Sequence, residues 1–213
     1  MVYMFKNNYR QEVFTHEEVR QIQDSIRNEL RTREIVEWDD LDMGGTYSDN
    51  LVRIKRKGLG RLEINNLPLP FELRTKIWRL GQEMYQLDKS YPKNVSGITY
   101  VEYNPKYGTP VLNIHKDNGD CGLILDYQLD SNIDWKFGVE KELYSLENNS
   151  ILAMYPLEHY HWRPNIKWKE DDFVKLIFFE FYTPGLQAVE DDVVKLDVQE
   201  FIDVFNKENL NEI

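Results

Sequence analysis

The chain has 213 residues, of which 41% are hydrophobic and 13% aromatic, so it is long enough for one globular domain and too apolar to be disordered. Its 26 lysines and arginines stand against 37 aspartates and glutamates, and the net charge of −11 disfavours nucleic-acid binding because such a surface repels phosphate. Cys121 is the only cysteine, which excludes an internal disulfide. No apolar run approaches the roughly 18 residues of a transmembrane helix, and residues 1–8 lack the apolar core of a signal peptide. We therefore expect a cytoplasmic protein that does not enter a membrane.

Two amphipathic helices are predicted in the first half of the chain. Thr15 and Glu18 have the spacing of a capping box, and the apolar residues that follow predict a helix over residues 15–33. A second apolar stripe at helical spacing predicts a helix over residues 70–88. Between the two helices lies a basic cluster that is either a solvated face or an anchor for an anionic substrate. Its members are Arg53, Lys55, Arg56, Lys57 and Arg61.

After residue 92 the pattern changes to short β-rich runs that are separated by turn signals. This alternation is typical of a sandwich or a barrel. The runs cover residues 97–103, 111–115, 123–129, 150–155 and 173–182. Near the end of the chain, apolar residues between 198 and 205 predict a last short helix.

Three of the four histidines lie in this β-rich half, and they suggest a metal site. His115 and Asp117 close one predicted strand two residues apart, so their side chains project from the same face. His161 follows a later apolar strand. Two imidazoles and one carboxylate form the facial triad of non-haem Fe(II) enzymes, which leaves three positions on the metal open. His159 competes with His161, since both would face the same side of an extended segment.

Two basic residues are candidates for binding an anionic cosubstrate. Lys175 enters a strongly apolar strand, and because a buried unpaired ammonium is costly it needs a partner. That partner is either a dicarboxylate cosubstrate or Asp171 or Asp172 at the solvated end of the strand. Arg163 competes, because its guanidinium is well shaped for a bidentate carboxylate contact. We favour Lys175.

Residues 95–183 resemble the Fe(II)- and 2-oxoglutarate-dependent dioxygenases of the prolyl-hydroxylase-like and aspartyl-hydroxylase-like kind. The likeness rests on residues 100–103, 112–117 and 159–164 and on Lys175. It implies a mainly β fold with flanking helices, a double-stranded β-helix (jelly roll, cupin-like) supported by N-terminal helices. The expected organisation is a single domain over residues 1–213. Residues 1–92 would give helical support and variable loops, 93–184 the jelly-roll core with the metal site, and 185–213 a C-terminal extension.

The resemblance also implies roles for individual residues. His115, Asp117 and His161 would be the catalytic metal ligands for Fe(II), and Lys175 would bind the distal carboxylate of 2-oxoglutarate, with Arg163 as the competing binder. Tyr100 or Tyr103 would hydrogen-bond the cosubstrate; their separation of three suggests that only one of them points inward. Asn113 shares the face of His115 in a regular strand and would line the pocket.

The expected reaction uses O₂ to hydroxylate an unactivated C–H bond of a small molecule, an amino acid or a peptide side chain, and releases succinate and CO₂. Two other classes stay open. A cupin-type metalloenzyme without cosubstrate would use the close pair His159 and His161, and a non-catalytic jelly-roll module would bind no metal. Three tryptophans near the expected mouth are either substrate platforms or core residues. They are Trp135, Trp162 and Trp168.

Overall fold

The computed structural model describes residues 9–37, 51–55, 59–85, 95, 97–117 and 121–182. The short helix predicted between residues 198 and 205 lies outside the described residues, as does the whole stretch 185–213 that was expected as a C-terminal extension. Arg56 and Lys57 of the predicted basic cluster also lie outside them.

Both helices predicted in the first half are present. Helix α1 spans His16–Thr32 and helix α2 spans Phe71–Tyr85. The capping box at the start of α1 is confirmed: the backbone N–H of Glu18 donates to Thr15 Oγ1 at 3.3 Å, and the backbone N–H of Thr15 donates to Glu18 Oε2 at 2.7 Å. These two bonds satisfy N–H groups that the first turn of a helix leaves without partners. No helix in the described part of the chain is long and apolar enough to cross a membrane.

Within the described ranges, twelve strands form two sheets. They are β1 (Tyr9–Arg10), β2 (Glu34–Glu37), β3 (Leu51–Lys55), β4 (Arg61–Ile64), β5 (Gly97–Tyr103), β6 (Leu112–His115), β7 (Cys121–Ser131), β8 (Phe137–Val139), β9 (Glu142–Tyr144), β10 (Ser150–Met154), β11 (His161–Arg163) and β12 (Val174–Tyr182). The large sheet has the order β1-β10-β7-β12-β5-β4-β3-β2, and the small sheet has the order β6-β11-β8-β9. All pairs are antiparallel except β2 with β3.

Two layers of buried side chains hold these elements together. One layer packs α1 and α2 against the outer face of the large sheet, and the other fills the space between the two sheets. Strand β12 serves both layers because its side chains alternate: Ile177 and Phe179 face the helices, whereas Leu176 and Phe178 face the small sheet. The predicted fold class, a mainly β jelly roll with supporting helices, is therefore confirmed.

Helix α2 is also tied to the large sheet by a polar contact. Tyr85, in its last turn, donates its hydroxyl hydrogen to the carbonyl oxygen of Met154 at 2.7 Å and accepts from the Met154 N–H at 3.0 Å. Because Met154 ends β10 and lines the cavity between the sheets, this helix supports one wall of that cavity.

Candidate metal centre

Three predicted ligands meet in the cavity between the two sheets. Nε2 of His115 and Nε2 of His161 each lie 3.4 Å from Oδ1 of Asp117. One ligand atom of each residue lies within 4.8 Å of the other two. Two neutral imidazoles and a carboxylate are a donor set that suits Fe(II) and leaves further coordination positions open.

Backbone pairing brings the two histidines together. His161, which begins β11, is the cross-strand partner of His115, which ends β6. The imidazole Nδ1 of His115 lies 2.7 Å from the carbonyl oxygen of Asn113, and that of His161 lies 3.2 Å from the carbonyl oxygen of His159. A carbonyl oxygen only accepts, so both Nδ1 atoms carry a hydrogen, and Nε2 is the atom that each ring would offer to a metal.

Asp117 is prepared for the same role. Its backbone N–H donates to the carbonyl oxygen of Pro156 at 2.9 Å, which fixes the chain just after β6. Burial alone would raise the pKa of Asp117, but the hydrogen bonds and charges of His115 and His161 outweigh it and hold the pKa well below its ordinary value. Asp117 is therefore a carboxylate at neutral pH, as a metal ligand requires.

His159 does not join this group. Its half-buried ring packs edge-on against Tyr155, with 5.8 Å between ring centres, and burial lowers its pKa. The segment departs from a regular strand before His161, since β11 begins only there. The structure thus brings His161, rather than His159, to His115 and Asp117.

The cavity around the triad has a volume of about 390 Å³. Its walls come from both sheets and are partly apolar, with Ile124, Met154 and Leu176 among the side chains that exclude water. Besides Asp117 of the triad, charged side chains line it as well, and they are Arg61, Glu63, Asp126, Arg163 and Glu180.

Arg163 is buried in the cavity wall, with 1% of its surface exposed. Its guanidinium lies between the rings of Trp135 and Phe137, 5.0 Å from each ring centre, and Nη1 donates to the carbonyl oxygen of Trp135. Nε and Nη2 are buried and have no hydrogen-bond partner within the described part of the chain. Two unused donors on a buried cation are costly, so the site is suited to an anionic ligand.

Asp126 faces Arg163 and was not singled out from the sequence. Oδ2 of Asp126 lies 3.9 Å from Nη2 of Arg163, and both side chains are fully buried. Burial raises the pKa of Asp126 to about 6, although the charges of Arg163 and His161 act in the opposite direction. A sequence signal for it existed: it is the one charged residue in the apolar run 123–129.

The structure places Lys175 on the other face of the large sheet. Its side chain is 30% exposed, pairs with Asp130 at 3.3 Å and lies 4.3 Å from the ring centre of Phe173. Since Val174 and Leu176 face the space between the sheets, the residue between them must face away. Lys175 is therefore not brought to the triad, and its acidic partner is Asp130 rather than Asp171 or Asp172.

The two candidate tyrosines also separate. Tyr103 lies in the layer between the sheets, 4.9 Å from Trp135 between ring centres, and accepts a hydrogen bond from Nη1 of Arg61 at 2.7 Å. Tyr100 lies in the helix-side layer and donates to Glu102 at 3.2 Å. As expected from their spacing, only one of them points between the sheets, and neither side chain lines the cavity.

Asn113 is exposed and does not line the cavity, in contrast to the expectation from strand alternation. The reason is an irregularity in the β6–β11 pairing, where His161 is opposite His115 but Arg163 is opposite Leu112. One extra residue of β6 is thus accommodated as a bulge. As a result Leu112 and His115 both line the cavity, although they are three residues apart.

The tryptophans and the basic cluster also have defined places. Trp135 and Trp162 are buried, and Trp168 packs on Trp135 with 4.9 Å between ring centres. None of the three is among the cavity-lining residues, so they belong to the core. Arg53 is buried, whereas Arg61 is partly buried, with 14% of its side chain exposed, and lines the cavity.

Neither a protein-family model nor a curated protein matches the chain. Solved structures do share its fold. An oxidoreductase of the 2OG-Fe(II) oxygenase family from Burkholderia pseudomallei is 11% identical, has a TM-score of 0.55, and the match covers 86% of this chain and 90% of that one. AviO1 from Streptomyces viridochromogenes Tue57 is 14% identical, with a TM-score of 0.54 and coverage of 87% and 94%.

A prolyl-4-hydroxylase from Pseudomonas putida is 9% identical, with a TM-score of 0.50 and coverage of 82% and 90%. The fold is therefore the one that 2OG-Fe(II) oxygenases adopt, and the predicted resemblance is confirmed at the level of the fold. Inside this fold, the chain carries a His-Asp-His group with ligand spacing.

Proposed function

We propose that the protein is an Fe(II)- and 2-oxoglutarate-dependent oxygenase that hydroxylates a C–H bond of a small molecule, an amino acid or a peptide side chain. The observation that carries the proposal is the sharing of one cavity by the triad and by a buried guanidinium with two unused donors. A metal ion suits the triad, and a carboxylate suits the guanidinium. We also propose that the described elements belong to a single domain.

In this proposal His115, Asp117 and His161 hold Fe(II), and Arg163 takes the cosubstrate role that the sequence favoured for Lys175. His161 and Arg163 are two residues apart on β11, so they project from the same face with their Cα atoms about 6.6 Å apart. A five-carbon dicarboxylate such as 2-oxoglutarate is long enough to reach from the metal site to the guanidinium. Lys175 instead holds Asp130 at the sheet surface.

When bound, the metal and 2-oxoglutarate supply the activation of O₂ and the release of succinate and CO₂. The contribution of the protein is binding and orientation. The carbonyl oxygens of Asn113 and His159 fix the two imidazole rings, and the rings of Trp135 and Phe137 fix the guanidinium. The apolar walls of the cavity exclude water from the reacting groups.

Anaerobic titration of the purified protein with Fe(II) and 2-oxoglutarate tests the proposal. We expect a weak visible charge-transfer band, together with succinate formation once O₂ is admitted. His115→Ala and Asp117→Ala should lose both signals, whereas His16→Ala, which alters an exposed histidine of α1, should keep them.

Unchanged iron binding and turnover in the two triad variants would refute the assignment. Turnover that does not require 2-oxoglutarate would favour a cupin-type metalloenzyme. A wild-type protein that binds neither iron nor 2-oxoglutarate would favour a non-catalytic jelly-roll module.

A further inference from the structure

Asp126 and Arg163 form an incomplete pair in the cavity. The 3.9 Å between Oδ2 and Nη2 is too long for a hydrogen bond. Neither carboxylate oxygen of Asp126 has a hydrogen-bond partner among the described residues, and the same holds for Nε and Nη2 of Arg163. Buried polar groups are normally paired, so the unused donors of Arg163 require an accepting group, and the unused oxygens of Asp126 require a hydrogen, either from a ligand or from a proton that Asp126 takes up.

Among the described residues, the surroundings of Asp126 offer it no other polar partner. Its cross-strand neighbours are Leu152 on β10 and Phe178 on β12, which are both apolar. The charged or titratable groups that act on it are Arg163 and His161, both on β11. The buried carboxyl group of Asp126 therefore depends on the positive charge of Arg163 to stay ionised.

A carboxylate bound to Arg163 would compete with Asp126 for the positive charge of the guanidinium. Two carboxylates that share one buried site do not both stay ionised, and one of them takes up a proton. Burial has already raised the pKa of Asp126 to about 6, so Asp126 is the group that gains the proton. A protonated Asp126 donates a hydrogen bond, and the bound carboxylate then has a donor from each member of the pair.

We propose that Asp126 becomes protonated when 2-oxoglutarate binds and that it donates a hydrogen bond to the distal carboxylate held by Arg163. This inference rests on the proposed function. The proton comes from solvent and stays on the Asp126 carboxyl group; no covalent bond to carbon changes and no electron moves. Above the pKa of free Asp126, binding of 2-oxoglutarate should therefore weaken by about tenfold for each pH unit.

Isothermal titration calorimetry of the metal-loaded protein measures this proton directly. Under anaerobic conditions, 2-oxoglutarate is titrated near neutral pH in buffers with different enthalpies of ionisation, because the buffer must supply any proton taken up. The wild type should take up close to one proton for each 2-oxoglutarate bound.

Asp126→Asn should take up none, because an amide donates a hydrogen bond at every pH, and its affinity should be independent of pH in the same range. Asp130→Asn is the matched control: Asp130 lies on the same strand but pairs with Lys175 outside the cavity, so proton uptake should match the wild type. In turnover assays the pH effect should fall on the KM for 2-oxoglutarate rather than on kcat.

Binding of 2-oxoglutarate to the wild type without proton uptake would overturn the inference and leave the proposed function intact. Uptake that persists in Asp126→Asn would overturn it as well. Failure of the metal-loaded wild type to bind 2-oxoglutarate would instead overturn the proposed function. If Asp126→Asn does not fold, the proton uptake measured for the wild type decides alone whether the inference holds.

Discussion

Arg163→Lys tests which basic side chain binds the cosubstrate. Lysine keeps a positive charge but lacks the planar fork that offers Nε and Nη2 to a carboxylate in parallel. A hydrogen bond to a charged group contributes about 1.5–3 kcal/mol to binding. Loss of one of the two contacts should therefore raise the dissociation constant of 2-oxoglutarate about 10- to 150-fold.

The buried setting of Arg163 supports the upper part of that range. The guanidinium is held between Trp135 and Phe137, and its exposed fraction is only 1%, so solvent screens its contacts little. The shorter, rounder ammonium of lysine cannot stack on both rings, and its position would be less well defined. The thermal stability of the variant should be measured in parallel, because the hydrogen bond from Nη1 to Trp135 is also lost.

Lys175→Met is the companion change, and its expected effect is small. The Lys175–Asp130 pair is about one-third exposed on both sides, and exposed pairs of this kind contribute about 1 kcal/mol or less. The affinity for 2-oxoglutarate should stay near that of the wild type. Anaerobic titration followed by the charge-transfer band measures both variants. A larger loss in Lys175→Met than in Arg163→Lys would refute the reasoning and restore the assignment favoured from the sequence.

Three further predictions concern stability, each measured by urea unfolding. Gly81→Ala places a Cβ 2.6 Å from the ring of Phe181, and this overpacking should lower the free energy of unfolding by about 1–3 kcal/mol; an unchanged midpoint would contradict it. Thr15→Ala removes the capping box of α1 and should cost about 1 kcal/mol, whereas Thr75→Ala, at a partly buried position of α2, should cost less. Asp126 has a pKa raised from 3.8 to about 6 in the folded state. The folded protein thus holds its proton longer than the unfolded chain, so the stability that Asp126 contributes is full below the lower value and is lost as the pH rises through the higher one. Asp126→Asn should flatten that decline, and an equally steep decline in the variant would count against the raised pKa.

The elements predicted correctly are those whose signal is local. The capping box at Thr15 and Glu18 placed the start of α1, and the apolar stripe placed α2, because both depend on residues three or four positions apart. Strands β5, β7, β10 and β12 are long enough to show a β-rich run between turns. Strands β8 and β9 have three residues each, which is too few for alternation to be recognised, so they were not predicted from the sequence.

Parts of the site depend on pairing between strands, which a single sequence does not contain. The bulge in β6 turns Asn113 outward and exists only in relation to β11. The face of β12 on which Lys175 lies could not be predicted from the sequence, because that strand is apolar on both sides. The triad could be predicted from the sequence, since the separation of two residues places His115 and Asp117 on one face. The paired strand then supplies His161.

The rule that drew attention to Lys175 applies with more force to Asp126. A lone charge in an apolar strand needs a partner, and the need is greatest where the strand is buried on both faces and the residue lies in its middle. Lys175 is the second residue of β12, where its long side chain reaches Asp130 near solvent. Asp126 lies at the centre of β7, and its short side chain cannot leave the interior. Position within the strand and side-chain length, both readable in the sequence, therefore separate a surface ion pair from a buried group that requires a ligand.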